Sequence, residues 1–167
     1  MAAPAAPVSD PHVTLDLSVG VGGGDSTGDG EPLVGWGLHL TVRPVERLVL
    51  GASMEGATNW IGSIHGFLTG GVGLAKSLPA GRLVVMALGG IHGLDGAALG
   101  GLADHSMKTL GARASWEGSL GRWIFARGGL AASAYFDLER PYDAKVDGHV
   151  GGVTILVSVA LGLGLGV

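Results

Sequence analysis

The sequence contains no cysteine, so neither a disulfide framework nor a thiolate metal site can form. Charge is also scarce: charged residues make up 14% of the 167 residues, against about 25% in an ordinary soluble domain. The formal net charge is −4, which gives no basic surface of the kind that binds nucleic acid. The length suits one domain, so a single weakly charged domain is expected.

Long hydrophobic runs are missing too, although hydrophobic residues make up 47% of the chain. The longest apolar stretch, Gly151–Val167, is repeatedly interrupted by glycine or serine, whereas a helical membrane span needs roughly 18 to 20 consecutive apolar residues. The 33 glycines oppose helix further, at about 1 kcal/mol for each interior position. Because only helices and closed barrels satisfy their backbone hydrogen bonds in lipid, the composition predicts a transmembrane β-barrel.

The chain start also lacks the features of a signal peptide. Residues 1–11 have neither a basic region nor a long apolar region. We expect residues 1–11 to be a disordered N-terminal segment that resembles a mature N-terminus. Residues 12–167 are expected to form the barrel, with no second domain.

What the sequence does contain is alternation with a period of two, the pattern of β-strands with two different faces. In the first run, Val13, Leu15 and Leu17 lie on one face, and Thr14 and Asp16 lie on the other. The predicted strands cover residues 12–22, 33–43, 47–57, 64–76, 82–94, 107–117, 122–138 and 150–167. Connections after even-numbered strands are short and the others are mostly longer and more polar, as in outer-membrane barrels. The prediction is therefore an all-β, up-and-down antiparallel transmembrane β-barrel of about eight strands.

The direction of the apolar face follows from side-chain volume. An eight-stranded barrel has an interior that side chains just fill. Leucine, valine, isoleucine and tryptophan on every strand would overfill it, whereas glycine, alanine, serine and threonine fit. We therefore expect the large apolar side chains to face lipid. A soluble lipocalin-like barrel that binds a ligand, which shows the same alternation, is the alternative.

A hairpin in the sequence resembles a known family. Residues 35–52 read Gly-Trp-Gly-Leu-His-Leu-Thr-Val-Arg-Pro-Val-Glu-Arg-Leu-Val-Leu-Gly-Ala. This strand–turn–strand pattern is similar to the hairpins of the outer-membrane β-barrel superfamily, which includes the OmpA transmembrane domain and OmpX. Members commonly end in an aromatic residue, whereas this chain ends in Val167. The resemblance implies a porin-like protein located in the outer membrane of a Gram-negative bacterium. It implies lipid and lipopolysaccharide as partners, with a second copy of the chain as a further candidate.

The inward face collects a set of charged and imidazole side chains. In a narrow lumen such charges should pair or meet water, because an unpaired buried charge is costly. We expect an internal salt-bridge network, with Arg113–Glu117 or Arg127–Asp137 as candidate pairs. The predicted charge network comprises Asp16, Arg43, Glu55, Arg82, Arg113, Glu117, Arg127 and Asp137, with His39, His65 and His92 as further polar lumen residues.

Two further functions remain as alternatives to a structural barrel. Rows of glycine on the inward face would leave the lumen less filled, so a narrow pathway for small solutes or ions is one. A lipid A-modifying enzyme is the other, because Asp104, His105 and Ser106 lie in a predicted outer loop. Adjacency in sequence does not bring a nucleophile and a base together, so we expect no enzyme. No HxH or HxxxH spacing occurs, so neither a metal site nor a cofactor is expected.

Overall fold

The computed structural model describes residues 12–25, 31–58, 64–94, 106–136 and 151–165. Its strands are β1 (Val13–Asp25), β2 (Glu31–Val45), β3 (Leu48–Thr58), β4 (Ile64–Leu78), β5 (Gly81–Leu94), β6 (Ser106–Ser119), β7 (Ile124–Phe136) and β8 (Gly151–Leu165). The predicted N-terminal segment 1–11 lies outside the described residues. So do Asp104 and His105, and Asp137 of the predicted charge network.

The strands form one closed barrel. Each strand pairs antiparallel with the next one along the chain, and β1 pairs with β8 to close the ring. The prediction of an all-β, up-and-down, eight-stranded barrel is therefore confirmed. In the part of the chain that the structure describes, no helix is long and apolar enough to cross a membrane.

The observed strands begin and end close to the predicted positions, except where the residues at a strand end do not alternate between apolar and polar. β1 runs past the predicted end at Gly22 to Asp25, because Gly22 and Gly24 still pair with both β2 and β8. β7 begins at Ile124, two residues after the predicted start at Arg122. There the chain turns back, and the Leu120 N–H donates to the Ile124 carbonyl at 2.9 Å.

The two faces of the barrel wall separate as the alternation predicts. Leu17 is 67% exposed and Leu161 is 62% exposed on the outer face, whereas Asp16 is 2% exposed on the inner face. On β5, the middle of the strand has apolar residues on both faces, and there Met86 points inward and Val85 points outward. This arrangement is the reverse of a soluble protein, with apolar groups outside and charges inside.

The two ends of the barrel differ in their connections. At one end, the turns at residues 46–47, 79–80 and 120–123 join the strands, and we call this the short-turn end. The connections after β1, β3, β5 and β7 belong to the opposite end, the long-loop end. Interior side chains can therefore be placed by height between these ends.

Candidate functional site: the charge-paired interior

A chain of polar side chains crosses the barrel at mid-height. Arg113 on β6 donates through one guanidinium nitrogen to His39 Nδ1 at 2.8 Å, and through the other to Glu55 Oε1 on β3. Ser18 Oγ lies 2.8 Å from His39 Nε2. Ser53 Oγ donates to the same Glu55 oxygen at 2.8 Å. Arg113 thus joins β6 to β2 and β3 on the other side of the lumen.

The donors in this chain fix the state of His39. Arginine has only donors, so His39 Nδ1 must accept, and the ring is the neutral tautomer with its proton on Nε2. That proton is donated to Ser18 Oγ, whose own hydroxyl donates to the Gly37 carbonyl at 3.5 Å. The hydrogen bonds from Arg113 through His39 to Ser18 therefore all run in one direction, and each side chain holds the next in place.

A second ion pair lies beside the first. Arg127 on β7 donates to Asp16 Oδ1 on β1 at 2.5 Å, and thereby spans the intervening strand β8. Gly162 on β8 lies beneath them: a Cβ placed there would lie 2.5 Å from the Asp16 Cβ and 2.6 Å from the Phe125 ring. Glycine at 162 thus makes room for this arrangement.

A third pair lies at the short-turn end. The Arg82 side chain on β5 donates to Glu117 Oε2 on β6, from Nε at 3.0 Å and from a terminal nitrogen at 2.5 Å. Both residues are buried, and Arg43, also buried, lies at the same end. Two donors to one carboxylate oxygen give the pair a defined orientation.

Aromatic rings occupy the interior nearer the long-loop end. Phe67 stacks on His92 with ring centroids 4.4 Å apart, and Tyr135 lies against the other side of the same imidazole at 4.0 Å. All three side chains are buried. The sequence analysis placed His92 in the lumen but did not predict the stack, because three different strands, β4, β5 and β7, supply the rings.

Apolar side chains fill the rest of the interior wall. Val49, Ala75, Val84, Met86 and Leu88 form a buried cluster on β3, β4 and β5. The Met86 methyl lies 2.8 Å from where a Cβ of Gly51 would be and 3.4 Å from where a Cβ of Gly71 would be. At Gly73, the Met86 Cγ would lie 2.6 Å from such a Cβ. The sequence suggested that the glycine rows leave the lumen less filled. Here they instead accommodate long side chains from neighbouring strands.

Small voids lie between the described interior side chains. Two voids at mid-height measure about 10 Å³ each, one beside Glu55 and one beside His39. A void of that size holds about one water molecule. A larger cavity of about 310 Å³ lies at the short-turn end, lined by Arg82, Glu117 and Phe125. It is a vestibule at that end of the barrel.

The structure brings most of the predicted lumen residues together, in pairings the sequence did not give. Arg113 pairs with Glu55, not with Glu117, and Glu117 pairs with Arg82. Arg127, proposed as a partner of Asp137, pairs with Asp16. The side chain of His65 and the whole of Asp137 lie outside the described residues. Among the residues that are described, no group of three or more His, Asp or Glu side chains could hold a metal ion.

The comparisons with known proteins concern the fold. No protein-family model and no curated protein matches the sequence. Among solved structures, the chain is similar to the crystal structure of Neisserial surface protein A (NspA), with a TM-score of 0.71 and 8% sequence identity. The match covers 92% of this chain and 97% of that one. At this identity the likeness shows the shared eight-stranded barrel fold.

Proposed function

We propose that this chain is an integral outer-membrane barrel of a Gram-negative bacterium, with a structural role and a lumen closed to solutes. The observation that carries the proposal is the inverted wall, with apolar groups outside and paired charges inside. The fold that it shares with a Neisserial surface protein supports a place at the bacterial surface. The proposed role needs neither a cofactor nor a catalytic residue.

The exposed apolar face favours a membrane over the soluble lipocalin-like alternative. Side chains such as Leu17, Val159 and Leu161 are more than 60% exposed on the outer wall. A soluble domain rarely exposes a continuous apolar surface of this kind. A ligand-binding soluble barrel also needs an apolar cavity, whereas this interior contains ion pairs and rings. Lipid is therefore the proposed partner of the outer face.

The filled interior favours a structural barrel over a pore. A conducting pathway needs continuous space for hydrated solutes, and the mid-height voids of about 10 Å³ hold about one water each. Arg113 takes part in the ion pair at this level, and the Asp16–Arg127 pair lies nearer the short-turn end. At the long-loop end, lipopolysaccharide is the proposed partner, as the family resemblance implies, and a second copy of the chain is a further candidate.

Membrane placement can be tested with single cysteines, because the chain has none of its own. Leu161→Cys places a spin label on the apolar outer wall of β8, and Leu120→Cys places one in a short turn; both parent side chains are more than 60% exposed. After refolding into phosphatidylcholine vesicles, collision rates with oxygen and with a water-soluble nickel chelate are measured at each label.

A barrel in the bilayer gives a label at 161 that collides with oxygen and is protected from nickel. The label at 120 should collide with nickel in the same sample. If the label at 161 is as accessible to nickel as the label at 120, the membrane placement is wrong. Solubility of the folded chain without detergent would lead to the same conclusion.

A further inference from the structure

The outer wall has a step at the short-turn end, between two hairpins of unequal length. Pairing of β3 with β4 ends at Leu48 and Leu74, whereas pairing of β4 with β5 continues to Leu78 and Gly81. The longer hairpin therefore projects past the turn that joins β2 and β3. The Ala75 N–H holds that turn alongside by donating to the Arg47 carbonyl at 2.8 Å. A groove of about 620 Å³ lies at this step.

The groove is amphipathic along its length. Its apolar wall consists of Leu74, Leu83 and Val85, which are 67%, 41% and 49% exposed. Its rim carries two exposed cations, Arg47 and Lys76, and one exposed carboxylate, Glu46. Neither cation forms an ion pair with any side chain that the structure describes. The rim therefore keeps a net positive charge above an apolar wall.

The strand register sets the depth of this groove. Lys76 pairs with Leu83, and Leu83 pairs with Trp116 on β6, so the three residues lie in one row across the wall. The Trp116 indole is 43% exposed on the outer face. Exposed tryptophans lie at the level of the lipid headgroups in membrane proteins. The cations should thus lie at headgroup level, and Leu74 and Val85 should lie deeper, toward the acyl chains.

We propose that this groove binds one bilayer phospholipid with an anionic headgroup. The phosphate lies between Arg47 and Lys76, and an acyl chain lies along Leu74, Leu83 and Val85. The proposal rests on the membrane placement proposed above, which surrounds the groove with lipid. Charge complementarity selects a headgroup with net negative charge. A headgroup that also carries a cationic group, such as choline, would be repelled by the positive rim. The apolar wall continues into the lipid-facing surface, which identifies a lipid as the occupant.

The experiment counts lipids retained by the folded chain. The full-length protein is refolded into vesicles of equal parts phosphatidylglycerol and phosphatidylcholine, extracted in mild detergent, and examined by native mass spectrometry. The test variants are Arg47→Gln, Lys76→Gln and their combination. Val85→Trp fills the groove and keeps both cations. Arg122→Gln is the matched control, because Arg122 is an exposed cation at the same end, outside this groove, against the Trp123 ring at 4.8 Å.

We expect the wild-type chain to retain one phosphatidylglycerol in preference to phosphatidylcholine. Each cation removed should lower that preference by about fivefold, the usual effect of one basic residue near an anionic membrane surface. Val85→Trp should abolish retention, and Arg122→Gln should leave it unchanged. The site is refuted if the double variant or Val85→Trp retains phosphatidylglycerol as the wild type does. Equal loss in Arg122→Gln would also refute it, because that result indicates a diffuse basic rim.

Insertion into pure phosphatidylcholine vesicles is scored first on the same protein. A chain that inserts there but shows no lipid preference refutes the groove and leaves the membrane placement intact. A chain that fails to insert into either kind of vesicle refutes both proposals. Circular dichroism of each variant shows that the barrel has folded before its lipids are counted.

Discussion

Arg113 is the residue on which the interior depends most, because it contacts two partners across the lumen. It donates to His39 Nδ1 and to Glu55 Oε1, and it is itself buried. Glu55 is only 14% exposed, so its carboxylate has little access to water once the guanidinium is removed. The pair therefore contributes less by its attraction than by what each charge would cost if left alone.

Replacement of one partner should accordingly be worse than replacement of both. We expect Arg113→Ala to lower the free energy of unfolding by about 3 to 5 kcal/mol, the usual cost of an unpaired buried charge. The combined variant Arg113→Met and Glu55→Leu should recover most of that loss, since it leaves no charge behind. Urea titration of the chain in lipid vesicles measures both values.

Lys108→Ala serves as the control, because Lys108 is exposed on the same strand β6. A surface change of this kind typically alters stability by no more than about 0.5 kcal/mol. A result in which Arg113→Ala also falls within that range would show that the interior pair does not hold the barrel together. If Arg113→Ala and the double variant lose the same free energy of unfolding, packing of the Arg113 side chain, rather than its charge, determines the stability there.

At the scale of a strand, β4 shows why alternation and glycine placement act together. Gly71 faces inward, where a Cβ would lie 2.5 Å from the Ala87 carbonyl oxygen and 2.6 Å from the Leu88 side chain. Gly70, its neighbour, faces outward, where the nearest atom would be 3.8 Å away. Consecutive glycines of one strand therefore have opposite tolerance for a side chain.

The two glycines provide a matched pair of substitutions. Gly71→Ala should destabilise the barrel by about 1 to 3 kcal/mol, because it overpacks a filled interior. Gly70→Ala should be neutral, or stabilising by up to about 1 kcal/mol, because it removes freedom only from the unfolded chain. The same urea titration compares them. If the two variants have the same stability, the interior beside Met86 and Leu88 is not packed as described.

The strands also show how far a sequence of this kind can be interpreted. Period two gave the eight strands and the face of each residue, including the buried Asp16 and the exposed Leu17, because pleating alone sets which side a residue faces. It did not give the partners of Arg113 or Arg127. Those depend on which residues of different strands lie at the same height, and that follows from the stagger of the whole barrel. For the same reason the stack of Phe67, His92 and Tyr135 was not predictable.

At the scale of the whole molecule, the structure shows one closure and the proposed function adds a second. The pairing of β1 with β8 closes the sheet, so no strand edge is left open among the described strands. In the proposed function, the side chains then close the lumen, with the Arg82–Glu117 pair, the Arg113 and Arg127 pairs, and the aromatic stack. The glycines permit this second closure, because they let long side chains from adjacent strands cross the wall surface.

Single-channel recording in a planar bilayer tests this closure most directly. The sample is the refolded wild-type chain, after the label at position 161 has shown that it is inserted. The paired and filled interior predicts a bilayer current that stays at baseline, without discrete steps, over a wide range of voltage. Reproducible steps of one conductance from the inserted wild-type chain would contradict the account and would restore the solute pathway as its function.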